Sequence, residues 1–95
     1  MHIISITYKV SLELVDQHLE QHIEYLNEQY RLGNFHASGK KVPRTGGIIL
    51  SKLSDQQELL NILAKDPFKI HDLADYELIE FIPSKTAEAL KFLLE

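Results

Sequence analysis

Residues 2–34, HIISITYKVSLELVDQHLEQHIEYLNEQYRLGN, change their apolar period partway along, and that change decides the fold. His2, Ile4, Ile6 and Tyr8 alternate with Ile3, Ser5, Thr7 and Lys9, a two-residue period rich in β-branched side chains that predicts a strand. Beyond it Leu12, Val15, Leu19, Ile23, Leu26 and Tyr30 return every three or four residues. This stripe predicts one helix from about Leu12 to Leu32, with Ser11 as its N-cap. Gly33 and Asn34 tolerate a left-handed backbone and stop it.

Working outward, a second strand is expected around Phe35 to Lys40. The segment KKVPRTGG, residues 40–47, reads as a loop, and an apolar strand follows near Gly47 to Leu53. Ser54 with Gln57 three residues later has the form of a capping box, opening a helix whose core face is Leu59, Leu60, Ile62 and Leu63. Pro67 ends or interrupts that helix. Its ring disfavours helical geometry at Asp66, which is expected extended or in a turn at a helix terminus. Tyr76 to Ile82 alternates as a fourth strand, and Ser84 is placed to cap a terminal helix carrying Ala87, Leu90, Leu93 and Leu94.

This order predicts an α+β class, a ferredoxin-like βαββαβ arrangement with an additional C-terminal helix. A chain of 95 residues has room for one domain, with a core over 2–82 and the C-terminal helix over 84–95. The helices cover only one sheet face, and the other keeps apolar residues such as Ile3 and Ile79. Such a face is a liability that a second sheet relieves. A homodimer, closed by sheet-to-sheet packing into a dimeric α/β barrel, is therefore expected.

Fourteen acidic against ten basic residues give a net charge of −4, and the hydrophobic fraction of 44% is that of a folded globular chain. Cysteine is absent, which removes disulfides and thiolate chemistry and restricts any metal site to imidazole, carboxylate and neutral oxygen ligands. The start MHIISITYKV has no basic stretch ahead of its apolar run, and no segment reaches the roughly 18 apolar residues that span a bilayer. A cytoplasmic location with no membrane partner is expected. The densest basic patch is Lys40, Lys41 and Arg44, too weak a footprint to predict a nucleic-acid partner. The same three charges suit one anionic metabolite, or simply keep a loop solvated.

Among residues able to carry chemistry, His22 lies at the flank of the helix stripe and is expected half-buried, as a core-edge imidazole or as one aimed into a pocket. His18, four residues earlier, shares that side of the helix but stands nearer solvent. The pair lacks a third metal ligand and the glutamate of a metalloprotease helix, so no metal is expected. Asp66 reads either as a turn aspartate satisfying nearby amides or as a carboxylate that orients an imidazolium or acts as a base, with Phe68 making its surroundings apolar. His36 is ambiguous. Tyr8, Tyr25, Tyr30 and Tyr76 suit either a cavity wall or ordinary boundary packing, and the glycines form no nucleotide fingerprint.

Taken together, these elements resemble the YciI-like (YCII-related) family. The likeness rests on His22 with Leu26, Gly33-Asn34-Phe35, Ala37-Ser38-Gly39, Gly46-Gly47, the DPF motif at Asp66, Pro67 and Phe68, and Tyr76-Glu77. The resemblance implies a dimeric ferredoxin-like domain with a pocket between sheet and helices, in which His22 and Asp66 are the active-site pair. A related member is a dehydrochlorinase acting on a chlorinated hydroxyhydroquinone, and relatives of similar fold include muconolactone isomerases. A cofactor-independent lyase or isomerase acting on a small cyclic acid, lactone or phenol is the implied function. Tyr8, His36, Gly39, Lys40, Arg44 and Phe68 are expected around the substrate. The alternative is a noncatalytic small-ligand-binding or protein-interaction module. The sequence departs from the family pattern at Gly39-Lys40, where a glycine-proline pair is usual, and in extending beyond Pro83.

Overall fold

A strand forms at His2–Tyr8 (β1) because its even-numbered side chains have a core to enter: Ile4 and Ile6 are buried there, while Thr7 on the opposite face is exposed. The computed structural model describes residues 1–94 and shows eight further elements. They are α1 (Leu12–Gln17), α2 (Leu19–Arg31), β2 (Ala37–Lys40), β3 (Gly46–Ser51), α3 (Gln56–Leu63), α4 (Pro67–Ile70), β4 (Ala74–Glu80) and a 3₁₀ helix at Glu88–Leu94. The four strands form one antiparallel sheet in the order β2-β3-β1-β4, which is the ferredoxin-like arrangement.

The register pairs Ile4 with Ile49 and with Leu78, so three strands supply one apolar row beneath the helices. The main core joins Ile4, Ile6, Ile49 and Ala74 of the sheet to Phe35 and to Leu59 and Leu63 of α3. At about 1.5–3 kcal/mol for each large apolar side chain buried, this row is the chief source of stability. A second cluster joins Val15, Phe68 and Leu73. Gly46 is where β3 starts beside β1. A Cβ there would stand 1.7 Å from the Ile6 carbonyl oxygen, so no side chain fits.

The structure redraws several sequence-based boundaries. The expected single helix over 12–32 is two helices, broken at His18, whose φ of −111° and ψ of 3° leave the helical region. No glycine or proline causes the break. Val15 of α1 packs on the second cluster while Tyr25 and Leu26 of α2 pack on the first, and two short helices serve both. Ser11 caps α1 as expected, accepting from the Leu14 amide at 3.3 Å.

The N-cap of α3 is Asp55, not Ser54. Its carboxylate accepts from the Gln57 and Glu58 amides, and its charge also suits the positive end of the helix. Pro67 does not end α3, which stops at Leu63; it opens α4, where its missing N–H costs nothing. The second strand begins at Ala37 because Phe35 is drawn into the core, the third spans Gly46–Ser51, and the fourth starts two residues early at Ala74. The expected C-terminal α-helix is a 3₁₀ helix in which only Leu93 is buried, too little apolar burial to hold longer regular structure; Glu95 lies outside the described residues.

On the outer sheet face Ile3, Ile48 and Leu50 are half-buried and Ile79 is exposed. No helix among the described residues is long and apolar enough to cross a membrane.

Candidate functional site

Because α2 leads with Leu19 and turns its inner side toward the sheet, His22 comes one turn later over the end of β1 that carries Tyr8. Its burial exceeds the half-burial expected from the stripe, at 9% exposed, since the Phe68 ring lies flat against it at 3.9 Å between centroids and 6° between planes. Phe68 reaches this place because Pro67 starts the α4 turn directly after Asp66.

Asp66 is extended at φ −66° and ψ 127°, as the following proline requires, and is completely buried. Its Oδ1 accepts from the Phe68 amide at 3.0 Å and from His22 Nδ1 at 2.7 Å, while its Oδ2 accepts from the Tyr76 hydroxyl at 2.6 Å. Asp66 thus caps a helical turn and at the same time bonds the His22 imidazole. A carboxylate holding Nδ1 fixes the proton on that nitrogen and leaves Nε2 as the free lone pair.

The phenols around the carboxylate stay protonated. Burial first, then the Asp66 charge and its hydrogen bond, push Tyr76 far above the ordinary tyrosine range; burial and the Asp66 charge push Tyr25 upward too. Tyr76 is thus a permanent donor to Asp66. Tyr25 donates to the Ile62 carbonyl at 2.8 Å.

His22 lines a cavity of about 400 Å³ between α2, the sheet and the β2–β3 connection. Apolar walls come from Ile6, Leu19, Ile23, Leu26, Ile49 and Phe68, and polar ones from Tyr8, Ser38, Lys40 and Arg44, with Gly39 and Gly47 giving open backbone. Tyr8 meets Phe68 edge to face at 5.8 Å. Arg44 Nη2 donates to Asp16 Oδ1 at 2.5 Å.

Of the residues expected around a substrate, Tyr8, Gly39, Lys40, Arg44 and Phe68 share this cavity with His22, and Asp66 stands directly behind the His22 ring. His36 does not line it. Its ring contacts Phe92 at 5.3 Å, because the 3₁₀ helix packs on that part of the fold. His18 turns away from His22 to stack on His71 at 4.1 Å, and among the described residues no three histidine or acidic side chains gather as metal ligands do. Lys41 points to Thr7 on the outer side.

Sequence reasoning missed the bond from Tyr76 to Asp66 and the grip of Asp16 on Arg44. Neither has a local signal. Ser38 lines the cavity while paired to the Tyr30 hydroxyl at 2.6 Å.

A family model described as the YCII-related domain matches residues 1–82. No curated protein sequence matches the chain. Among solved structures, the chain is similar to 5-chloro-2-hydroxyhydroquinone dehydrochlorinase (TftG) from Burkholderia phenoliruptrix, in complex with 2,5-dihydroxybenzoquinone. The likeness has a TM-score of 0.70 at 15% identity, over 85% of this chain and 93% of that one, and so speaks for the fold.

Proposed function

The chain belongs to the YCII-related domain family, and on that footing we propose that residues 1–95 form one YciI-like unit acting as a cofactor-independent lyase or isomerase. Its substrate is a small cyclic acid, lactone or phenol. The observation that carries this reading is the 2.7 Å bond from His22 Nδ1 to a fully buried carboxylate, with the other face of the dyad at an apolar cavity. Support of a lesser kind comes from the similar dehydrochlorinase, whose chlorinated hydroquinone substrate belongs to that protein.

In the proposed reaction His22 Nε2 takes a proton from a carbon next to a carbonyl, and the C–H electron pair moves onto the carbonyl oxygen to give an enolate. Asp66 supports the imidazolium so formed. An isomerase then returns the proton from Nε2 to a different carbon of the same enolate. A lyase instead lets the enolate pair expel a leaving group from the adjacent carbon, and the imidazolium passes its proton to solvent. Histidine suits both, since its ordinary pKa of about 6.5 lets it accept and release a proton near neutrality. Asp66 itself is not the base. It is shut off from the cavity and already engaged by three donors.

A mass-based screen of cyclic acids, lactones and substituted phenols against the purified protein tests the reading. Conversion lowered at least roughly tenfold by His22→Ala is the expected result. Binding without turnover for every compound would favour the noncatalytic ligand-binding module. We also propose that two copies pair through the outer sheet face, where Ile3, Ile48, Leu50 and Ile79 lie in adjacent strands. Light scattering at micromolar concentration should then give a mass of two chains.

A further inference from the structure

The charge of the cavity wall is opposite to that of the chain. The protein carries 14 acidic and 10 basic residues, whereas the wall includes Lys40 and Arg44 and, among the described residues, no aspartate or glutamate. Any pull on an anion is therefore local to this cavity, because the net charge of −4 repels one at longer range.

The two cations differ in how they are held. Lys40 sits exposed on the edge strand β2. Arg44 is fixed, its side chain 31% exposed and its Nη2 bound at 2.5 Å to Asp16, a residue of α1 that does not line the cavity. The grip thus comes from outside the wall. A guanidinium has five N–H donors; one is given to Asp16 and another faces the Tyr8 hydroxyl, which leaves donors of the planar fork to meet a carboxylate. Its hydrogen bond to Asp16, then the Asp16 charge and the nearby Tyr8 hydroxyl, hold Arg44 above its ordinary pKa and keep the charge in place. The same cavity is also lined by Leu19, Leu26 and Phe68, the last stacked on His22.

We infer that this site selects a small cyclic carboxylate, its carboxylate held by Arg44 and its ring against Phe68 and Leu26, with Asp16 as the residue that positions Arg44. The inference rests on the proton-transfer reading of the same cavity and narrows its substrate class. Neutral lactones and simple phenols lack the group that Arg44 is oriented to meet.

The test is the binding of benzoate and of its neutral isostere benzamide to the full chain, measured by titration calorimetry at neutral pH. Benzoate should bind at least about tenfold more tightly, a margin that charge-assisted bonds readily supply. Arg44→Gln should erase the preference, Asp16→Asn should reduce it, and Asp16→Glu should restore it, whereas Lys40→Gln should leave most of it. Equal affinity of the two probes, no benzoate binding at millimolar concentration, or a preference that survives Arg44→Gln overturns the inference. If Arg44→Gln fails to fold, Asp16→Asn decides, since it leaves the guanidinium present; an unchanged preference there overturns it. His22→Ala should keep the preference. A preserved preference with undiminished turnover in His22→Ala would remove the proton-transfer reading and leave the carboxylate site standing, and the reverse pattern would do the opposite.

Discussion

The two ends of β1 each hold a buried imidazole, and they are built to different purposes. At one end His22 gives Nδ1 to a carboxylate and shares an apolar cavity with Arg44 and Tyr8. At the other, His2 is 1% exposed, gives Nδ1 to the Leu53 carbonyl at 2.8 Å, and has a buried Nε2 with no partner among the described residues. A carboxylate stabilises the charged ring that proton uptake creates. A neutral carbonyl does so far less, and a sealed Nε2 has nothing to take a proton from. Burial of a histidine is thus no sign of chemistry by itself; the acceptor on one nitrogen and the space at the other decide.

The comparison is broken most directly at the two rings. His22→Ala should lower turnover by at least roughly tenfold, and up to the 10²- to 10⁴-fold typical of general acid-base participation, with the circular dichroism spectrum unchanged. His2→Leu should leave turnover unaltered and shift stability by no more than about 1–2 kcal/mol in urea denaturation, since an orphaned ring nitrogen is lost together with one hydrogen bond. A turnover defect in His2→Leu as large as that of His22→Ala would erase the distinction.

Asp66→Asn keeps the shape and removes the charge, so it should cost turnover on a scale comparable to His22→Ala. Tyr76→Phe sharpens the point at smaller cost. It takes one of three donors from Asp66 and should destabilise the fold by about 1.5–3 kcal/mol, the usual worth of a bond to a charged group, while reducing turnover less than Asp66→Asn does.

The smallest effect is alkaline. Tyr25 and Tyr76 have folded-state pKa values raised above the ordinary 10.0, so the folded state binds their protons more tightly than the unfolded chain. Their contribution to stability is complete below pH 10.0 and is lost progressively as pH climbs above it toward the folded values. Tyrosinate absorbance should show Tyr25 and Tyr76 resisting ionisation until the protein unfolds. All four titrating together near their ordinary value while the fold persists would contradict the burial of this pair.

Local chemistry was legible wherever a period or a proline governed it. The change of apolar period at residues 2–34 gave strand then helix, and Pro67 imposed the extended backbone seen at Asp66. Together with the His22 flank position, those signals made His22 and Asp66 candidates, while their pairing was implied only by the resemblance to the YciI-like family. What they lacked was depth. The Phe68 ring that buries His22, the break at His18 between two packing clusters, and the displacement of His36 onto Phe92 arise from contacts whose partners lie far along the chain.

Sequence by itself determined the order of the four strands, the side of α2 on which His22 falls and the backbone state of Asp66, because each depends on residues within a turn or two of itself. Tertiary structure alone decided that His22 meets Asp66 across 44 residues, that Asp16 holds Arg44 across 28, and that Tyr76 supplies the third donor. Those pairings depend on how the crossovers lay α1, α2 and α4 over one end of the sheet, and a one-dimensional period carries direction without that distance.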